Sequence, residues 1–255
     1  MMARRQDNYC WRIIATAVSF ALFGLGGLIM GYLILPLVTL ASTDHKPATR
    51  RCRYLIHRCF RLFIHCMQKM GVLTWEVRGQ QQLQGAGQLV IANHPSLIDV
   101  VFLISLIPNA TCIVKAGLYR NPFTRGPVSR AGYIANDNPQ QLLCDGAAEL
   151  ERGTTFIIFP EGSRSVPDKP LHFQRGAAYL RMASHCPVSL VTIAVAPPTL
   201  VKGEKWYHIP WRRPHFQLNV CTYISGQITQ HISDNQQARL LTRHWQQYFT
   251  QELSL

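Results

Sequence analysis

The sequence predicts an α/β domain, a mixed sheet flanked by helices, preceded by an apolar helix and an amphipathic helix that form a membrane module. Three observations predict it. From Val72 onward short apolar runs alternate with helix-period patterns. The first quarter of the chain pairs a long uncharged apolar run with a basic amphipathic stretch. The 255 residues, 47% hydrophobic and only 15% charged, suit one sizeable domain with a packed core and exclude a disordered chain.

The charge is concentrated where the apolar run lies. Residues 1–70 carry ten Lys or Arg (Arg4, Arg5, Arg12, Lys46, Arg50, Arg51, Arg53, Arg58, Arg61 and Lys69) against Asp7 and Asp44, so +8 of the net +13 falls there. Basic residues around the uncharged run Ile13–Leu40 point to an anionic membrane surface. A nucleic-acid-binding arm would be polar, so no nucleic-acid partner is expected. Ile13–Leu35 is long enough to cross a hydrocarbon core of about 30 Å at about 1.5 Å per residue. It is too long for the apolar region of a cleaved signal peptide, so it reads as retained. Gly27 and Gly31 form a GxxxG that would serve as a helix-pairing face. Equally, Gly24, Gly26, Gly27, Gly31 and Pro36 would let the segment bend back within one leaflet.

Pro47–Met70 has a helical period. Cys52, Leu55, Ile56, Cys59, Phe63, Cys66, Met67 and Met70 fall on one side, with Arg50, Arg53, His57, Arg58, Arg61 and Lys69 mostly on the other. Such a helix either lies among lipid headgroups with its arginines toward phosphate or packs on the domain with a solvated basic face. The cationic excess after the apolar run places the following domain on the cytoplasmic side of an inner or cytoplasmic membrane. The expected division is 1–70 for the membrane-associated helices and 71–255 for the α/β domain. Eight cysteines without a CxxC pair suggest a reducing compartment rather than disulfides, and no metal site is expected.

Within the α/β part, strands are expected at Leu73–Val77, Gln88–Ala92, Thr111–Lys115, Thr155–Phe159, Val188–Ala196 and Phe216–Ile224. Helices are expected at Pro95–Leu106, Pro139–Arg152, Gly176–His185 and Asp234–Glu252. Asn93-His94-Pro95-Ser96-Leu97-Ile98-Asp99 follows the second strand directly. Pro95 at the first helical position makes His94 the cap, and a helical Asp99 leans back toward the imidazole. A carboxylate that holds one ring nitrogen frees the other as a general base; the pair would otherwise be a cap and a dipole partner. Phe159-Pro160-Glu161-Gly162-Ser163-Arg164-Ser165 follows another strand, at the edge where open α/β sheets bind ligands. Arg164 there suits a phosphate, or an ion pair with Glu161.

Taken together, an apolar strand, NHxxxxD, a second strand and FPEGSRS resemble the glycerolipid acyltransferase family that includes 1-acylglycerol-3-phosphate acyltransferases. The resemblance runs from about Val72 to Val201. It implies transfer of a fatty acyl group from a thioester, acyl-CoA or acyl carrier protein, to the hydroxyl of a membrane lipid such as a lysophospholipid, with no further cofactor. His94 would take the hydroxyl proton and Asp99 would stabilise the imidazolium. Lys115, Glu161, Gly162, Ser163 and Arg164 would bind substrate. Arg175, which opens the helix after the second box, is assigned to acceptor or donor phosphate.

Two departures stand out. Gly132-Tyr133-Ile134-Ala135-Asn136-Asp137-Asn138 lacks the arginine of the family's second motif, and Leu190 stands where the fourth usually has proline. The first departure raises two alternatives, a non-phospholipid acceptor such as a glycolipid or pigment lipid, and a lipid-binding subunit without turnover. HExxH, the GxSxG elbow and the phosphate loop are absent from the sequence, which leaves zinc proteolysis, serine hydrolysis and nucleotide hydrolysis without support.

Overall fold

The computed structural model describes residues 8–42, 44–166, 169–223 and 233–254. The chain opens with α1 (Tyr9–Ile29), passes through a π-helical turn (Met30–Ile34) into α2 (Leu35–Leu40), and returns along α3 (His45–Lys69). The sheet order is β1 (Thr74–Arg78), β7 (His215–Tyr223), β6 (Val188–Ala196), β2 (Leu89–Ala92), β5 (Thr155–Ile158), β3 (Ala110–Val114), β4 (Ile134–Ala135). Every neighbouring pair is parallel except β6 with β7. The mixed sheet is therefore as expected, and β6, β2, β5, β3 and β4 all end on one edge.

The helices divide between the faces. Val90, Ala92, Ile157, Val191 and Ile193 look toward α1–α3, α4 (Asp99–Leu106) and α5 (Arg125–Arg130). Leu89, Ile91, Phe156, Ile158 and Leu190 look toward α6 (Pro139–Glu151), α7 (Gly176–Ser184) and α8 (Asp234–Ser254). Both faces are covered, so central strands read as continuous apolar runs such as Leu89–Ala92.

The expected elements lie within a residue or two of those observed, with three corrections. α4 begins at Asp99, not Pro95, because Asp99 Oδ2 accepts the Ser96 N–H at 2.6 Å and a tight turn replaces the first helical turn. β4 and α5, too short for a periodic signal, were not expected. The end of the last expected strand, Ile224, lies outside the described residues.

α3 also presents a different face from the one its charge pattern suggests. Arg53 and His57 are buried against the domain rather than solvated with Arg50, Arg58 and Arg61. Arg53 donates to Glu149 Oε2 at 2.8 Å, Thr154 Oγ1 at 2.9 Å and the Ala131 carbonyl at 2.7 Å. His57 Nδ1 lies 2.9 Å from the Ile104 carbonyl. Of the heptad-spaced cysteines only Cys52 is fully buried, and no cluster of three metal-ligating side chains occurs among the described residues.

α1 runs along this assembly. A Cβ at Gly27 would collide with the Phe123 carbonyl oxygen, and one at Gly126 with Gly31. The GxxxG thus seats the helix on its own domain.

Candidate active site

β2 lies at the centre of the sheet between β6 and β5, so the turn that leaves it is flanked by the turn that leaves β5. Asn93 closes the strand by mimicking one more ladder residue: Nδ2 donates to the Ile193 carbonyl at 2.8 Å, and Ile193 N–H donates to Oδ1 at 2.7 Å. The next residue is His94. Its N–H donates to Glu161 Oε1 at 2.8 Å, and its carbonyl accepts the Ser165 N–H at 2.7 Å. Its ring stacks on Phe159 with centroids 4.2 Å apart. Ser165 Oγ donates to the same Glu161 oxygen at 2.9 Å. The two boxes therefore meet across the β2–β5 pair and fix the His94 backbone from both sides.

The ring is fixed as well. His94 Nδ1 lies 2.9 Å from Asp99 Oδ2, and Asp99 is fully buried. An ionised carboxylate only accepts, so Nδ1 carries the proton and Nε2 keeps its lone pair. Burial pushes the Asp99 carboxyl up to about 6, against the lowering pull of hydrogen bonds from His94 and Ser96. Burial likewise raises Glu161, despite the hydrogen bonds from His94 and Ser165. Ser96 is fully buried, which removes it as a nucleophile within reach of substrate.

Glu161 makes no contact of the kind expected with Arg164. Arg164 Nη1 instead donates to the carbonyls of Leu200 and Val201 at 2.8 and 2.9 Å. Gly162 takes φ +68, a left-handed turn that brings the chain round to Ser163, whose Oγ accepts from Lys202 Nζ at 3.1 Å. Lys115 is exposed immediately after β3, on the same sheet edge. Arg175 is directed elsewhere: it donates to Asn235 Oδ1 at 2.7 Å and ties the start of α7 to α8. Lys202 was missed because a lysine in an irregular connection carries no sequence signal. The bracing by Asn93 and Phe159 was legible only as membership of the two boxes.

Residues 74–196 match the family model described as Acyltransferase. Over this stretch, just under half of the chain, the sequence is similar to that family. The chain is 24% identical over 173 residues to the 1-acyl-sn-glycerol-3-phosphate acyltransferase of Pseudomonas aeruginosa, covering 66% of this chain and 65% of that protein. The enzyme of the same name from Saccharomyces cerevisiae is 26% identical over 196 residues, 73% of this chain and 61% of the relative. The matched part is thus just under two thirds of either relative's length. The crystal structure of the 1-acyl-sn-glycerophosphate acyltransferase PlsC from Thermotoga maritima superposes with a TM-score of 0.69 at 17% identity, over 98% of this chain and 97% of that one. The two share a fold. The structural match includes the N-terminal helices, and the stretch that matches the family model holds both boxes, His94–Asp99 and Glu161–Arg164.

Proposed function

We propose that this protein is an O-acyltransferase that moves a fatty acyl group from a thioester, acyl-CoA or acyl carrier protein, to the hydroxyl of a lysophospholipid such as 1-acylglycerol-3-phosphate. The observation that carries the reading is the His94–Asp99 pair at 2.9 Å, braced by Glu161 at the carboxyl edge of the central strands. Nε2 of His94 takes the acceptor's hydroxyl proton as its oxygen attacks the thioester carbonyl. Asp99 holds the tautomer and stabilises the imidazolium, and the proton passes to the departing thiolate. Lys115, Gly162, Ser163 and Arg164 line the substrate side, where the cations would meet the acceptor's headgroup or the donor's phosphates. Residues 1–70 seat the catalytic part, 71–255, on a membrane, with the site on the cytoplasmic side.

One observation favours a second reading of the acceptor. At the Gly132–Asn138 segment, where the family has its arginine, Asn138 accepts the N–H groups of Gln140 and Gln141 and caps α6. The adjoining cleft, of about 340 Å³, is lined by Asp137, Asp145 and the Arg53-paired Glu149, with Arg152 the one strong cation among its described lining residues. That charge balance suits an acceptor without phosphate, such as a glycolipid or pigment lipid.

The test is product formation by purified protein in lipid, supplied with acyl-CoA or acyl carrier protein thioester and a panel of lysophospholipids and neutral lipid alcohols. Acyl transfer that His94→Ala abolishes is expected. Failure on every acceptor by folded protein would support the reading of a lipid-binding subunit instead.

A further inference from the structure

The connection from β6 to β7, residues 197–214, has no regular secondary structure and is held by arginines from distant parts of the chain. At its catalytic end Arg164 binds the carbonyls of Leu200 and Val201. The N–H of Leu97, which sits between His94 and Asp99, donates to the Leu200 carbonyl at 3.1 Å. Leu200 takes φ +53, a left-handed conformation that a non-glycine residue adopts only where surrounding contacts over-determine it. At the other end Arg12 of α1 is buried beneath the connection. It donates to the carbonyls of Arg212 at 3.1 Å, Pro210 at 2.8 Å and Trp211 at 2.6 Å. Tyr9 stacks on Trp211 at 4.5 Å, and Phe20 meets Trp206 at 5.6 Å.

What the connection leaves outside is aromatic. Trp206, Tyr207 and Trp211 are 40%, 41% and 75% exposed, among Lys205, Arg212 and Arg213. They adjoin the exposed stripe of α1, Trp11, Ile14, Val18, Leu22 and Leu25, through the Tyr9–Trp211 and Phe20–Trp206 contacts. Tryptophan and tyrosine beside basic side chains, continuous with a long apolar helix, are the composition of a bilayer's headgroup layer contact.

We propose that residues 197–214 are a lipid-contacting strap. Trp206, Tyr207 and Trp211 enter the interfacial layer of the bilayer that receives α1, and the two arginine-held ends make the placement of the catalytic turn depend on that contact. Arg12 is then a positioning residue that acts on the His94–Asp99 turn through the strap. The coupling rests on the reading of His94 as the base, whereas the lipid contact does not.

Full-length protein in nanodiscs of anionic and zwitterionic phospholipid separates these parts. The fluorescence difference between wild type and a W206F/W211F variant isolates the two strap tryptophans. Replacing the lipid with chains brominated near the headgroup should abolish most of that difference signal; an unchanged signal overturns the contact. Arg12→Gln should raise hydrogen exchange in 197–214 and also in 161–165, on the order of tenfold. It should lower kcat on disc-borne acceptor on the order of tenfold, with KM for the thioester unchanged. Faster exchange in the strap with 161–165 and kcat unmoved overturns the coupling. Trp211→Gln, at an exposed position that does not threaten folding, should move the same readouts less far, and its failure to do so counts against the proposal equally. Wild-type protein inactive on every acceptor would refute the catalytic reading, while quenching and exchange would still decide the strap.

Discussion

Asp99 is buried at a cost that only its partnership with His94 explains. Its carboxyl is raised from 3.8 to about 6 by burial. A group raised in this way favours the fold fully below its unfolded value and loses that contribution as pH rises through about 6. At pH 8 the ionised Asp99 therefore favours the fold less than its protonated form does, the cost that the proposed hold on the imidazole would carry. Asp99→Asn should be nearly inactive, yet its melting temperature relative to wild type should improve between pH 5 and pH 8; a decline would refute the assignment. Activity should fall as pH drops through about 6, where Asp99 takes up a proton and no longer holds the imidazole as an acceptor. His94→Ala should cost about 100-fold to 10,000-fold in kcat with little change in melting temperature, and retention of half the rate would remove His94 as base. The pair was legible in the sequence because five residues of local chain suffice to join it. The role of Glu161 was not: its carboxylate braces His94 only because β5 lies beside β2, an adjacency that spacing along the chain does not reveal.

At the scale of elements, α3 shows how a helix can be located correctly and still be turned the wrong way. Its period was readable from Pro47 to Met70, but amphipathicity assigns every arginine to solvent. The domain supplies Glu149, Thr154 and the Ala131 carbonyl as partners for one of them. Burial alone would raise Glu149, but the Arg53 charge and the hydrogen bonds from Arg53, Thr154 and Arg152 outweigh it and hold the carboxyl below its ordinary value. That stabilisation is present above the ordinary carboxylate range and is lost as pH falls through the lowered value. Arg53→Ala leaves a half-buried carboxylate without its main partner, so about 3–5 kcal/mol of stability should go. Chemical denaturation at neutral pH measures it. The loss should shrink in acid, where Glu149 is neutral in both proteins. A neutral effect at pH 7 would mean that α3 is held by its apolar side alone. The start of α4 was misplaced for a related reason: Pro95 has the dihedral for a first helical turn, but the Asp99 side chain competes for the Ser96 N–H and wins.

For the whole molecule, the question is how the apolar helix meets the bilayer. Composition announced a membrane segment but left open whether it crosses or lies flat, since both need the same residues. The packing argues for the second. Contacts with the domain hold α1 and its continuation at Arg12, at Gly27 against Phe123, at Gly31 against Gly126, and through the Arg130 hydrogen bond to the Gly31 carbonyl at 3.1 Å. From Arg12 to Leu35 the helical path is about 35 Å, more than the hydrocarbon thickness of about 30 Å. A helix held to the rest of the chain along that whole path is expected to stay in one leaflet rather than cross. Its outward face, Trp11 through Ile29 at spacings of three and four, is then left for one leaflet. Washing membranes at 1 M salt, where the Debye length is about 3 Å, should strip the attraction of exposed arginines such as Arg50 and Arg58 yet leave the protein bound. Exposed Cys10, at the start of α1, and exposed Cys144, on α6, give the geometry a direct readout. A membrane-impermeant maleimide should reach both from the same side of a sealed vesicle and neither from the other. Labelling of Cys10 from the face opposite Cys144 would show that the helix crosses, and would require the contacts of Arg12 and Gly27 to be broken in the membrane.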